Sequence, residues 1–482
     1  MFKSLVVEKD IKDKLSVIRE MDPNVFNLLL EKLEFNKFTR FKKTIRQLLR
    51  KIFVIGIKNS LKTLSKKDVI RKINSSTNVK KKVLFVAGTS AFNLVGISIY
   101  LRETGEYSTS LIIENPWLWK YFKKYFDNVY VYNSNYNVAC ILLESNPYMV
   151  HVQGTHQYYF LGVLAKCLSN APVVIGFSDI PSLSVISPDE LPGHACEKSC
   201  DRLADVSDLD MLLEKFLFQH ADGIILAINT KIAGEKLLHI YKSNVPLIEF
   251  FPYVCDEFIC QEEKYSRMDG KIHIVYGGVI AAADKPEEFN SGIQFVSLAK
   301  KLVKQGLYFH LYGTPHTSPL KFKSAFPEYT QLATETANFT FERGLPPDEA
   351  IKEFSKHDFA AITSLYGKQN NFNKLHRNTV MASKFFTYLS AGIPIIVGEE
   401  DANSRILIEK YDVGIVIKQN KVECLSEIIK KYDYEKLRHN IKRAQEELSM
   451  KKHIGRLVEF YDQVYATKTL KHEARQPEVL TT

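Results

Sequence analysis

From Val83 onward, short apolar runs alternate with longer stretches of helical period. The runs VLFVAG (83–88), STSLII (108–113), NVYVY (128–132), MVHVQG (149–154), PVVIGF (172–177) and DGIILAI (222–228) are mostly apolar on both faces. A half-buried strand alternates apolar and polar positions, whereas a strand covered on both sides reads as a nearly continuous apolar run. Between most of them lie segments such as YYFLGVLAKCL (158–168) and LDMLLEKFLFQHA (209–221), whose apolar residues recur at helical spacing. The pattern predicts a parallel sheet with helices on both faces.

A linker at 250–270 interrupts the alternation, which then restarts. Strands are predicted at KIHIVYGG (271–278), LYFHLYG (307–313), NFTFERG (338–344), FAAITS (359–364), IPIIVG (393–398) and VGIVIK (413–418). Helices fall between them at 295–306, at 347–357 and from Thr379 to Ala391. The predicted fold class is α/β, with two doubly wound, Rossmann-like domains at 83–262 and 271–432. Helices at 433–466 are placed to pack back on the first domain, and 467–482 reads as a loose tail. In such sheets a ligand lies beyond the carboxyl ends of the strands, so the interdomain cleft is the expected site.

Residues 1–82 differ in character and read as a basic, amphipathic helical extension. Phe38, Phe41, Ile45, Leu48 and Ile52 recur at steps of three and four, among Lys37, Arg40, Lys42, Lys43, Arg46, Arg50 and Lys51. Two readings stand for the region 35–55. An apolar stripe backed by cations suits a helix lying on an anionic membrane surface, and it suits equally a helix packed on its own domain. Nucleic acid is not an expected partner, because the aromatics sit on the apolar stripe rather than being offered for base stacking.

Charge sharpens the division. The extension holds 22 Lys and Arg against 8 Asp and Glu, while the remaining 400 residues hold 43 against 47. The net charge of +10 therefore belongs to the extension, and the body is slightly acidic. Apolar runs such as IFVIGI (52–57) fall far short of the ~20 residues that cross a bilayer. The charged start MFKSLVVEKDIKDKL does not suggest a secretory leader. Seven scattered cysteines point to reduced thiols and a cytoplasmic setting. Cys140, Cys167 and Cys424 fall in apolar periodic segments and read as core filling, while Trp117 and Trp119 fit either a core or a surface place. His194, Cys196 and Cys200, with Cys255 or Cys260, raise a zinc reading. Their spacing lacks the paired short knuckles of structural zinc sites, so free cysteines in an acceptor loop are expected instead and no metal is assigned.

The segment ASKFFTYLSAGIPIIVG (382–398) carries the most chemistry. Asn378 or Thr379 is the expected cap of a helix from about Val380 to Ala391 that stops at Gly392. The amide end of such a helix attracts anions, and Lys374, Arg377 and Lys384 gather at the same end.

This segment resembles the donor-site helix of GT-B glycosyltransferases, specifically of family 4. KKVLFVAG, EKFLFQHADGIILAINTKIAGEKL (214–237), IHIVYGG and FTFERGLPPDEAIKEFSKHDFAAI follow in the order that family shows, so the resemblance covers roughly 83–466. It implies a GT-B fold and a retaining sugar transfer from a nucleotide-sugar donor to a cell-surface glycan or lipid-linked saccharide acceptor. The nucleotide sugar enters as co-substrate, with no other cofactor. The donor residues it implies are Gly277, Gly278, Lys285, Gly313, Gly344, Leu345, Thr379, Ser383, Lys384 and Thr387. On the acceptor side it implies Asp179, with His156 at the end of the preceding strand as a second candidate. The chain departs from the family at three places. Val279 stands where many members carry an Arg, Thr379 and Thr387 stand where many carry two Glu, and Ser178 stands where many carry a His. These changes leave open an alternative, a silent GT-B module that binds or assembles with another transferase.

Overall fold

The run Val83–Val86 is buried on both faces, so it must sit inside a sheet covered on both sides. In the computed structural model, which describes residues 2–33, 64–75, 80–88, 91–115, 118–155, 157–178, 180–185, 208–282, 293–313, 322–362, 379 and 381–473, that is its place. The first sheet contains β1 (Lys81–Val86), β2 (Tyr107–Ile113), β3 (Asn128–Val131), β4 (Met149–Gly154), β5 (Val173–Phe177), β6 (Gly223–Leu226) and β7 (Leu247–Glu249). All pairs are parallel, in the order β3-β2-β1-β4-β5-β6-β7. The second contains β8 (His273–Gly278), β9 (Tyr308–Gly313), β10 (Phe339–Arg343), β11 (Phe359–Ala361), β12 (Ile395–Gly398) and β13 (Gly414–Ile417). It is also parallel, in the order β10-β9-β8-β11-β12-β13. Only the short strand β7 was not anticipated from the sequence.

Each order reverses direction once, between β1 and β4 and between β8 and β11, and a crevice opens at such a switch point. Register brings the strand ends level there. Gly154 pairs with Phe177, while Gly278 and Arg343 both pair with Gly313. The loops leaving β4 and β5 therefore meet those leaving β8, β9 and β10 across one gap.

The extension's described part is helical: α1 (Phe2–Met21), α2 (Pro23–Leu33) and α3 (Lys66–Asn74). Ile11, Leu15, Ile18, Val25, Leu29, Leu33, Val69 and Ile73 join the core formed by the helices Asn135–Glu144 and Tyr159–Leu168. Each such side chain contributes roughly 1.5–3 kcal/mol relative to exposure, so these helices belong to the first domain's own packing. Lys82 closes the join: its Nζ donates to the carbonyls of Lys72 at 3.0 Å, Ile73 at 2.9 Å and Ser75, where the α3 backbone lacks partners. The stripe Phe38–Ile52 lies outside the described residues. No described helix is long and apolar enough to cross a membrane.

The C-terminal helices correct one expectation. They break at Leu448 and Ser449, and the last runs from Met450 to Glu473, well past the expected loose tail at 467. It packs against α4 (Phe92–Glu103) of the first domain. Tyr461 Oη lies 2.6 Å from His151 Nδ1, Asp462 pairs with Lys81 at 2.7 Å, and Lys468 pairs with Asp222 at 3.2 Å. The chain thus crosses between domains twice, at the 250–265 linker and again at Leu448–Met450.

Candidate active site

The second domain's wall begins where β8 ends. Gly277 leaves no room for a side chain, since a Cβ there would lie 2.3 Å from Phe354 Cζ. Its N–H donates to Tyr388 Oη at 3.1 Å, and the fully buried Tyr388 donates in turn to the Ala361 carbonyl at 3.1 Å. One phenol therefore ties the end of β8 to β11. Gly278 has φ +152°, which side-chain-bearing residues rarely adopt. Tyr276 Oη donates to the Val279 carbonyl at 2.7 Å and pins the turn.

Opposite this turn starts α5 (Ser383–Ser390). The expected boundaries are corrected here: the helix begins at Ser383 rather than Val380, and the cap position is held by Ala382, whose methyl group offers no capping oxygen. The amides at a helix start carry partial positive charge. Lys384 extends along the Tyr276 ring, with Nζ 5.2 Å from its centroid. Burial raises the pKa of the nearby Asp401 carboxyl, with the Lys384 charge pulling the other way. Asp401 caps the helix Ala402–Tyr411, accepting from the Ser404 amide at 3.3 Å.

The first domain supplies the facing wall. Gln153 and Thr155, at the end of β4, and Ser178, just past β5, line the gap. Gln153 Nε2 donates to Ser178 Oγ. Around this polar floor stand Phe92, Phe258, Tyr253, Cys255 and Met450. Tyr253 is stacked face to face on His453 at 3.8 Å and meets Phe386 of α5 edge-on at 5.8 Å. A polar seam crosses between domains: Tyr125 Oη donates to Asp348 at 2.8 Å, and Lys124 pairs with the same carboxylate at 3.5 Å. The cleft has a volume of about 460 Å³. Among the described residues that line it, Lys384 is the single charged side chain, and none is Asp, Glu or His.

Of the residues singled out in the sequence, Gly277, Gly278, Gly344, Leu345, Ser383, Lys384 and Thr387 line this cleft. Thr379 does not. It is fully buried, and its carbonyl accepts from the Asn229 amide at 2.9 Å and Asn403 Nδ2 at 2.5 Å, so it braces the wall from behind. Gly313 also lies beneath the surface, against Ile280 and Phe322, where its carbonyl accepts from the Gly344 amide. Asp179, His156 and Lys285 lie outside the described residues, as do Lys374, Arg377, Asn378 and Trp117.

His194, Cys196 and Cys200 of the zinc reading are likewise outside. Cys255 donates to Glu257 at 3.0 Å, and Cys260 approaches Glu262 at 3.6 Å. Among the described residues no three His, Cys, Asp or Glu side chains form a metal-binding group. Trp119 is core, and Cys140 is buried, whereas Cys424, read as core, is exposed because the segment Gln419–Cys424 winds as a short surface turn. Sequence reasoning missed Gln153, Thr155, Phe92 and Phe258. For Gln153, Thr155 and Phe92 the available signal was position, since residues at or just past the carboxyl end of a parallel strand face the crevice, whereas Phe258, in the interdomain linker, gave none.

The sequence profile of a family described as "Glucosyltransferase 3-like, C-terminal domain" matches residues 299–459. Among solved structures, a sucrose-phosphate synthase from Thermosynechococcus elongatus superposes with TM-score 0.54 at 10% identity, covering 80% of this chain and 100% of that one. A UDP-forming α,α-trehalose-phosphate synthase from Burkholderia xenovorans gives TM-score 0.47 at 8% identity, covering 79% and 100%. The wall teichoic acid polymerase TagF gives 0.39 at 11%, covering 92% and 100%. No curated protein matches significantly. Two parallel Rossmann-like domains facing a cleft are the GT-B fold expected from the sequence. The matched profile names a Gtf3-like domain rather than family 4.

Proposed function

We propose that this chain is a retaining glycosyltransferase that moves a sugar from a nucleotide-sugar donor to a glycan or lipid-linked saccharide acceptor, with a donor site of the family 4 type. In this reading the donor rests on the second domain. Its diphosphate meets the Gly277–Gly278 turn, Lys384 and the amide end of α5, with Lys285 as a further cation. Its base lies toward Gly344 and Leu345 and its ribose toward Thr387. Departure of the nucleoside diphosphate builds negative charge on phosphate oxygens, and prearranged cations and amides lower that barrier most directly. These fixed groups do the charge work, so no metal ion is assigned a part. Asp179 and His156 act from the acceptor side in the same reading.

The observation that carries the proposal is the placement of Lys384, the single charged side chain among the described cleft-lining residues, at a helix start with Ala382 in the cap position, beside a glycine turn. Calorimetric titration with UDP, GDP and CDP tests it. At least one nucleotide should bind, and Lys384→Ala should weaken it by about 10-fold or more, the cost of a charge-assisted bond. Binding by none of the three, or a Lys384→Ala protein that binds as well as the parent, would overturn the reading.

A second reading is favoured by one feature. Thr387, a neutral group, lines the donor wall where a carboxylate is usual in family 4. A silent module would bind a nucleotide, turn over none of its sugars and co-purify with another transferase. Cytoplasmic placement with residues 35–55 on an anionic membrane belongs to the transferase reading. Removing those residues should abolish pelleting with phosphatidylserine vesicles at low salt, and undiminished pelleting would discard the membrane contact.

A further inference from the structure

Two carboxylates lie behind the acceptor-side wall, outside the chemistry assigned above. Asp210 and Glu214 sit four residues apart on the helix Asp208–His220, which places them on one face. Both are interior, at 2% and 0% exposure. Both oxygens of Asp210 accept from the Gln157 amide, each at 3.3 Å. Glu214 accepts from the Ser182 amide at 2.9 Å, from Ser182 Oγ at 2.5 Å and from Tyr241 Oη at 3.0 Å. Gln157 belongs to the loop leaving β4 and Ser182 to the short helix Pro181–Val185 that ends the loop leaving β5; these are the adjacent strands whose following residues Thr155 and Ser178 line the cleft.

Burying a carboxylate costs several kcal/mol unless its lone pairs are satisfied, and an apolar side chain would serve plain packing better. Carboxylate lone pairs are strong acceptors, which matches the N–H groups of Gln157 and Ser182 and the Ser182 hydroxyl turned toward them. One of those loops also needs restraint. Gln157 has φ +67°, a left-handed conformation that costs a non-glycine residue on the order of 1 kcal/mol and persists only where the surroundings hold it.

We propose that Asp210 and Glu214 form a clamp, a pair of positioning residues on one rigid helix that fixes the β4 and β5 loops in register and so sets the polar floor Gln153–Thr155–Ser178 against the donor wall. The clamp's role in turnover rests on the transferase reading, while the clamp itself does not. Loops fixed to separate elements could drift independently; loops fixed to one helix face keep their spacing. Misplacing a reacting group by about 1 Å costs about 10²-fold in rate.

The test uses the full chain with Asp210→Asn, Glu214→Gln and, as a milder variant, Ser182→Ala, which removes one donor and leaves both carboxylates. Hydrogen exchange comes first: amide protection should fall at Gln157 in the first variant and at position 182 in the second, with a smaller fall at position 182 in the third, where the amide keeps its bond to Glu214, and with the second domain unchanged. Turnover of a panel of UDP-, GDP- and CDP-linked sugars comes second. The expected result is a loss of kcat at unchanged donor KM and unchanged nucleotide affinity, because the donor wall belongs to the other domain. Unchanged exchange at both loops, or losses of kcat and donor affinity in step with a lowered melting temperature, would overturn the clamp. A parent protein that binds and turns over no nucleotide sugar while the exchange pattern holds would refute the transferase reading and leave the clamp standing.

Discussion

Gly277→Ala tests how tightly the donor wall is built. The new Cβ would stand 2.3 Å from Phe354 Cζ and 2.7 Å from Cε2. Carbon contacts settle near 3.5–4.0 Å, so the ring must retreat by roughly 1–1.5 Å. It has little space for this. Phe354 is 4% exposed, with Tyr312 edge-on at 5.3 Å and Tyr388 at 5.9 Å. Both neighbours are held through their hydroxyls, Tyr312 donating to Glu353 at 3.1 Å and Tyr388 to the Ala361 carbonyl at 3.1 Å. Overpacking against such a site costs about 1–3 kcal/mol. The alternative is for the Gly277–Gly278 turn to move into the cleft, which would obstruct a phosphate there. Urea unfolding of the second domain and nucleotide titration should therefore both register the change. Phe354→Leu alone leaves a cavity and destabilises by roughly 1–3 kcal/mol. In the double variant the two faults compensate, so the combined loss should fall short of the sum by about 1–3 kcal/mol. A neutral Gly277→Ala, or strict additivity in the double variant, would refute the reasoning.

Acid should loosen the fold through two buried histidines. Burial lowers the pKa of His151 from 6.5 to about 3, and burial with the neighbouring His273 lowers that of His310 to about 4. Because the folded values lie below the unfolded ones, the unfolded chain takes up protons first. The stability is complete above pH 6.5 and is lost as pH falls toward 4, at up to roughly 1.4 kcal/mol per pH unit for each group. Melting curves from pH 7.5 to 4.5 check this, and a flat profile would contradict it. Asp222→Asn should release the last helix. Asp222 joins Lys166 at 2.5 Å and Lys468 at 3.2 Å in a half-buried triad, and burial of the carboxylate is outweighed by the two lysines. Removing its charge should cost about 1–3 kcal/mol and raise protease cleavage within 450–473. Unchanged cleavage would show that the latch is not needed there.

Much of the architecture was legible in the chain. A strand covered on both faces has to be apolar at successive positions, so runs such as PVVIGF and IPIIVG identify themselves. Lys384 stood out because a cation at a helix start is a local feature resting on a few neighbouring residues, whereas Gly277, Gly278 and Gly344 were reached through the resemblance to family 4. Other positions gave no such sign. Thr379 and Thr387 look equivalent in the sequence, yet one is sealed behind the wall and the other faces the cleft. Asp210 and Glu214 read as ordinary charges on an amphipathic helix until loops some 30 to 50 residues upstream place amides against them.

Local composition thus determined the strands, the helices and the two-domain plan, because the energies that select them act between residues close in sequence. Folding in space alone decided which polar groups are buried, which loops share a clamp and where the last helix docks. Those outcomes depend on partners as distant as Lys81 and Asp462, and no window along the chain contains both.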